Sequence, residues 1–336
     1  MQKVVRTNYS VTFVVPARNE ERFLQQCLAS IFEQLQDVNS LAEGESAVIV
    51  VDNGSTDSTC KIATMMGAKV ISLPPSNPAR ARNFGANACE SAIIVFVDAD
   101  CILPEGWLQK GLEHIGKEGV VAFGSAQAIP PHDAPWVERT WVQMIVPQED
   151  CPWKNAPWLP AFNLLVFKSD FDAISGFDET LETCEDSDFS YRLATKGALV
   201  RDNLFPVRHL GESQSLWQFF RREMWRSRGN LTSARKRGST INERASLLIP
   251  FAYLLLCSFA ILAAVFAVIF SGLWTFYFIG AIFCLIGIPM TLSYLKFGIT
   301  GIGRRSLLLS IYLIARGLGP IFAANRVTRG VSSGNP

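Results

Sequence analysis

The sequence predicts an α/β protein whose doubly wound, mostly parallel, Rossmann-like sheet is followed by a C-terminal α-helical membrane region. Three observations predict it. Apolar strands alternate with amphipathic helices at short spacing through the first hundred residues. Residues 93–97, Ile-Ile-Val-Phe-Val, form an unbroken apolar run ending at Asp98-Ala99-Asp100, the pattern of a strand buried on both faces. Between Arg244 and Lys296 there is no Asp, Glu, Lys or Arg, enough chain for two membrane helices of roughly 20 residues each.

Val11 to Val15 is the first strand, and Pro16-Ala17-Arg18-Asn19-Glu20 is the loop at its carboxyl end. From Glu20 to Gln34, Phe23, Leu24, Cys27, Leu28, Ile31 and Phe32 recur at helical spacing. The unit repeats with a strand at 47–51, a turn at 52–57 and a helix at 58–66 closed by Gly67. Ser55 and Asp57 are N-cap candidates there. A short strand at 69–73, a proline-rich loop and a helix at 78–89 lead into the strand that ends at Asp98. Ligands of open α/β sheets gather at the carboxyl ends of strands. Those loops carry Arg18 and Glu20, Asp52 and Asp57, and Asp98 and Asp100. The last two acids form either an oxygen-rich site suited to Mg2+ or Mn2+, or a pair of solvated loop carboxylates.

From about Gly119 to Trp158 prolines and tryptophans interleave without periodicity. The pattern predicts long loops, either lining an acceptor cleft or packing over the sheet. Residues 163–167 form another strand, and 185–193 a helix with Glu185, Asp186 and Asp188 in its first turn. Acids there complement the helix dipole, although three together exceed what capping requires.

The membrane region divides near Ser271-Gly272 into spans at about 247–270 and 273–295. A third apolar segment, 306–324, has Arg316 near its centre, at a cost of about 2.5–3.5 kcal/mol in lipid, and Gly317, Gly319 and Pro320 weaken its helical character. It is read as an interfacial or re-entrant segment or a third crossing. Arg235, Lys236, Arg237 and Arg244 precede the hairpin and Lys296, Arg304 and Arg305 follow it, placing both flanks and the N-terminal domain in the cytoplasm. No secretory signal follows Met1. Residues 216–228 mix Trp217, Phe219, Phe220 and Trp225 with Arg221, Arg222, Arg226 and Arg228, which suits a helix on anionic lipid better than one on nucleic acid. The expected organisation is a catalytic domain at 1–213, an interfacial helix and linker at 214–245, a transmembrane hairpin at 246–295 and a basic tail at 296–336. The eight cysteines show no Cys-x-x-Cys spacing and read as reduced.

Four landmarks stand in order: Val-Pro-Ala-Arg-Asn-Glu (15–20), Val-Asp-Asn-Gly-Ser-Thr-Asp (51–57), Asp-Ala-Asp (98–100), and Gly-Phe-Asp-Glu with Glu-Asp-Ser-Asp-Phe-Ser-Tyr-Arg-Leu (176–193). The set resembles the family 2 glycosyltransferases, inverting enzymes of the GT-A fold. The resemblance implies a nucleotide-diphospho-sugar donor, foremost a UDP-sugar, bound by Pro16, Arg18, Glu20, Asp52, Arg82 and Asp98. It implies a divalent cofactor, Mn2+ or Mg2+, on Asp98, Asp100 and His209, and Asp186 as the base that takes the acceptor proton. Glu185, Asp188, Arg221 and Arg222 are candidate acceptor or supporting residues, and Arg80 a candidate for the diphosphate. Where many relatives carry a second acid after the second strand this chain has Asn53, which bears on base selectivity.

The family's processive synthases carry Gln-x-x-Arg-Trp, whereas this chain reads Gln218-Phe219-Phe220-Arg221-Arg222. Single-sugar transfer to a lipid, polyprenyl-linked or glycan acceptor at the cytoplasmic membrane is therefore expected. The alternatives are a processive polysaccharide synthase and a catalytically degenerate scaffold for envelope-glycan assembly. A dinucleotide oxidoreductase is disfavoured, because no Gly-x-Gly-x-x-Gly follows a strand.

Overall fold

The structure is a computed structural model describing residues 9–39, 47–146, 153–229, 241–270 and 272–327. The chain enters through β1 (Val11–Ala17), α1 (Leu24–Asn39), β2 (Ala47–Asp52), α2 (Thr59–Met65), β3 (Lys69–Ser72), α3 (Pro78–Asn87) and β4 (Ile93–Val97). It continues with β5 (Cys101–Ile102), α4 (Trp107–Ile115), β6 (Val120–Gln127), α5 (Trp136–Ile145), β7 (Trp153–Lys154) and β8 (Asn163–Phe167). Then come α6 (Lys168–Ala173), α7 (Glu185–Leu193), β9 (Ala198–His209) and α8 (Leu216–Arg226). Three long helices, Ile241–Phe270, Leu273–Phe297 and Ile302–Val327, complete it.

The sheet runs β3-β2-β1-β4-β8-β6-β9-β5, with β7 paired to β9. Strands β3, β2, β1 and β4 are parallel, as the βα alternation requires. β8 enters antiparallel between β4 and β6, and β6 pairs parallel with β9. Side chains alternate between two cores. Phe13, Val15, Val50, Val95 and Val97 face a layer holding Leu24, Leu28, Ile31, Trp107 and Leu112 from α1 and α4. Val14, Ile49, Val51, Ile94 and Phe96 face the other, with Ala81 of α3, Phe177, and Phe189 of α7. A fully buried side chain of this size contributes about 1.5–3 kcal/mol, so both layers hold the strand ends in place.

Two sequence expectations are corrected. Of residues 119–158, the described ones, 119–146 and 153–158, are not a run of loops, and 147–152 lie outside the described residues. β6 is buried at all eight positions and α5 covers Trp136 and Trp141. In addition, α2 takes no side-chain cap from Ser55 or Asp57 at its N-cap residue, Ser58. Asp57 instead accepts from the Thr59 backbone N–H, one residue further in, at 3.0 Å.

Two compact units divide the chain. One holds 1–129 and 146–212, and the other holds 130–145 and 213–332 apart from its undescribed stretches. The second unit thus takes α5 from within the range 1–213 assigned to the catalytic domain. Within it, Val137, Trp141, Phe219 and Leu308 form a buried cluster. Segments 247–270, 273–297 and 302–322 are long and apolar enough to cross a membrane. The third is one continuous helix through Gly317, Gly319 and Pro320, contrary to the weakening expected of them. A Cβ at Gly317 would come 2.8 Å from the Pro250 carbonyl, so that glycine serves close helix packing. Arg316 lies 3.4 Å from Glu223 of α8, which is 1% exposed and also pairs with Arg226 at 2.9 Å. The arginine that argued against a third span therefore has a buried counter-ion.

Candidate active site

The loops after β1 and β2 are laced together by backbone-to-side-chain bonds. Asn19 adopts a left-handed conformation (φ 56°), and its Oδ1 accepts from the Thr56 N–H at 2.8 Å. Its own N–H donates to Ser55 Oγ at 3.0 Å, and the Glu20 N–H donates to Thr59 Oγ1 at 2.8 Å. The same lacing fixes Pro16 and Arg18, both partly exposed, and Asp52, 5% exposed, at the carboxyl edge of the sheet. The Ser55 N–H holds Asp52 Oδ1 at 3.1 Å. Asn53 has a defined structural use. Its Nδ2 donates to the Ser76 carbonyl at 2.8 Å, while its Oδ1 accepts from the Ser76 N–H at 2.8 Å and Oγ at 2.9 Å. A carboxylate could not make the first of these bonds.

Arg82 stands at the centre of the acidic residues. It projects from α3 and is 5% exposed. One terminal nitrogen holds Asp98 Oδ1 at 2.7 Å and the other holds Glu185 Oε1 at 2.7 Å. Both nitrogens expected to face the donor are thus engaged by carboxylates. Arg80, two residues earlier, is exposed. Below Arg82 the Phe177 ring lies 5.7 Å from the guanidinium, and Phe177 stacks on Phe189 at 4.3 Å.

α7 begins at Cys184, a non-glycine residue with φ 68°, a strained entry of the kind that recurs at functional sites. This entry sets Glu185 and Asp186 side by side. Burial, then the adjacent Glu185 charge, push the Asp186 carboxyl up to about 7, while Arg82 pulls it back down. Asp188 is different, because it is 4% exposed and accepts from Arg192 Nε at 2.8 Å. Arg192 in turn donates to the Ile174 carbonyl at 2.6 Å, so this pair braces the helix. Arg221, exposed, and Arg222, partly exposed, lie on α8 in the second unit.

Asp100 and His209 are brought together by β5 and β9, which pair antiparallel with Cys101 opposite His209. The Leu210 N–H donates to the Asp100 carbonyl at 2.7 Å. Asp100, Cys101 and His209 each offer a ligand atom, all within 4.8 Å of one another. His209 Nε2 is 3.6 Å from Asp100 Oδ1, too long for a hydrogen bond but suited to two ligands converging on one ion. A Cβ at Gly211 would overlap the Asp100 carboxylate, so the carboxylate occupies a cradle that only glycine leaves open. Carboxylate and imidazole are both ligands of first-row divalent metals. These residues therefore fit a divalent ion. Asp98 lies outside the trio, its Oδ1 on Arg82. Sequence reasoning passed over Glu212, 6% exposed, whose Oε1 lies 3.8 Å from His209 Nδ1. The His209-x-x-Glu212 spacing was its only signal in the sequence.

Residues 12–177 match the glycosyl transferase family 2 model. Glycosyltransferase AglE of Haloferax volcanii is 29% identical over 136 residues, covering 38% of this chain and 43% of that protein. An uncharacterized glycosyltransferase of Mycobacterium tuberculosis is 32% identical over 130 residues, covering 39% of this chain and 55% of its own length. The chain thus spans about half the length of the curated relatives it matches. A mannosyltransferase from Pyrobaculum calidifontis, solved in complex with GDP-mannose and Mn2+, superposes with a TM-score of 0.63 at 17% identity, covering 94% of this chain and 88% of that one. That likeness establishes the GT-A fold. With the family match over residues 12–177 and the ordered motifs on one GT-A sheet, that part of the chain carries the sequence and fold of glycosyltransferase family 2.

Proposed function

We propose that the chain is an inverting transferase that moves a single sugar from a nucleotide-diphospho-sugar, with a UDP-sugar favoured, to a lipid, polyprenyl-linked or glycan acceptor at the cytoplasmic face of a membrane. The observation that carries it is Arg82, which ties Asp98 on the donor side to Glu185, the immediate neighbour of Asp186. Pro16, Arg18, Glu20 and Asp52 line the loops that receive the nucleotide. Asp100 and His209, with the second oxygen of Asp98, would hold the divalent ion. When bound, such an ion neutralises the charge that builds on the departing diphosphate. Asp186, poised near neutrality, takes the proton of the acceptor hydroxyl as its oxygen attacks the anomeric carbon and the bond to the diphosphate breaks. Arg82 is then a positioning residue. It holds Glu185 fixed beside Asp186 and keeps Asp98 turned to the donor. The Mn2+-bound fold neighbour and the two loops laced at the strand ends support this reading, and the three apolar helices support an acceptor delivered from lipid.

The test uses the full chain in detergent with Mn2+, a panel of UDP- and GDP-sugars and a membrane lipid extract, following nucleoside diphosphate release and transfer to lipid. Release that depends on both donor and lipid is expected, and it should be lost in Asp186→Asn. No hydrolysis or transfer with any donor would overturn the enzymatic reading and leave the scaffold alternative. Products elongated by more than one sugar would overturn single transfer.

A further inference from the structure

Glu212 is a buried carboxylate that the proposed mechanism does not use. Its side chain is 3% exposed and that of His209 is 9% exposed. Burying a carboxylate is costly unless charge or hydrogen bonds compensate, so its contacts define its role. One contact anchors it from the strand behind, since Gln127 Nε2 at the end of β6 donates to Glu212 Oε1 at 3.2 Å. β6 is held to β9 there by the Ala128 N–H, which donates to the Val207 carbonyl at 2.7 Å. The same Glu212 oxygen faces His209 Nδ1 at 3.8 Å. His209 Nδ1 is buried and has no hydrogen-bond partner. The other ring nitrogen, Nε2, points at Asp100. Phe162 stands edge-on to the imidazole at 5.6 Å and limits its rotation.

These positions form a line from Gln127 through Glu212 and His209 to the point where Asp100 and His209 converge. A metal-bound imidazole uses one nitrogen as ligand and carries its proton on the other, which is almost always given to a carboxylate, carbonyl or water. Here Nε2 would coordinate, and the nitrogen left with the proton, Nδ1, faces Glu212. A ring shift of about 1 Å brings 3.8 Å into hydrogen-bond range. We propose that Glu212 is a positioning residue that fixes the tautomer and orientation of His209 for a divalent cation, and that Gln127 holds Glu212 in place. The proposal rests on reading Asp100 and His209 as the cation site.

The experiment titrates Mn2+ into the full chain in detergent and follows free Mn2+ by electron paramagnetic resonance, with Co2+ absorption as a second probe of the ligand set. Glu212→Gln is expected to weaken Mn2+ binding about 10–100-fold and to change the Co2+ spectrum. Gln127→Ala, which leaves the carboxylate present but unanchored, should give a smaller loss in the same direction. The decisive comparison is Glu212→Gln in a His209→Ala background. A residue acting through His209 has no further effect there, whereas a merely structural one weakens binding equally in both backgrounds. Equal weakening in both, or unchanged affinity in Glu212→Gln and Gln127→Ala while His209→Ala loses Mn2+, would overturn the proposal alone. If His209→Ala and Asp100→Ala both leave Mn2+ affinity unchanged, the metal-site reading itself fails.

Discussion

The pH profile of turnover is the sharpest expected consequence of the proposed mechanism, because the proposed base, Asp186, would govern it. Asp186 is pushed up to about 7 by burial and by the Glu185 charge. A base must be ionised to accept a proton, so about a tenth of the enzyme is competent at about pH 6 and about nine-tenths at about pH 8. Turnover at saturating donor and acceptor should therefore rise about tenfold across that interval and then level off. Asp186→Asn should lower kcat by about 10²–10⁴-fold and abolish the acidic limb while leaving donor binding near its original strength. Arg82→Gln removes the charge that draws the group downward and should move the limb to higher pH. The stability sign runs opposite to activity. The folded carboxyl keeps its proton over the window from 3.8, its ordinary value, to about 7, where the unfolded chain has lost it. This group therefore lowers stability as pH rises through that window, and the fold gives up stability where the base becomes active. The assay is kcat against pH by coupled nucleoside diphosphate release, corrected for enzyme unfolding. An acidic limb that persists unchanged in Asp186→Asn would refute the reasoning.

Gly211→Ala should push the Asp100 carboxylate out of its cradle and raise the Mn2+ concentration for half-maximal activity by tenfold or more, as direct titration of the variant can establish. Asn53→Asp should lose the bond to the Ser76 carbonyl and oppose two acceptors, lowering stability by about 1–3 kcal/mol, read from thermal unfolding of the detergent-solubilised chain. Glu223→Ala should cost about 1–3 kcal/mol by removing the buried carboxylate that Arg316 and Arg226 share. Replacing Glu223 and Arg316 together by Leu and Met should restore part of that loss, and a double variant no better than Glu223→Ala would count against the pairing. Chelation by EDTA should abolish transfer, with recovery on Mn2+ addition.

β1, β2 and β4 were legible because each is a mostly apolar stretch bounded by polar turns. β6 was hidden by composition, since Ala122, Gly124, Ser125 and Ala126 dilute its apolar character although every position is buried. The small residues have a spatial cause. A Cβ at Gly124 would stand 3.1 Å from the Asn163 carbonyl of the neighbouring strand, and Ser125 accepts from Trp107 Nε1. β9 was obscured by Arg201, Asp202, Asn203 and Pro206, the last two of which fall in the register break between Asp202 and Val207. Candidate site residues near strand ends were named from position and from the resemblance, but their partnerships were not. That Arg82 would hold two carboxylates, that Asn53 would serve Ser76, and that Arg316 would meet Glu223 all depend on contacts between distant segments, which no local pattern encodes.

The Glu223–Arg316 pair also bears on how the chain is assembled. Synthesis proceeds from the N-terminus, so the carboxylate leaves the ribosome before the arginine that it will neutralise. The last apolar helix then meets a surface already carrying its counter-ion, which removes much of the penalty for placing a guanidinium in that segment. A chain interrupted before residue 302 would keep Glu223 on α8 with Arg226 but without Arg316.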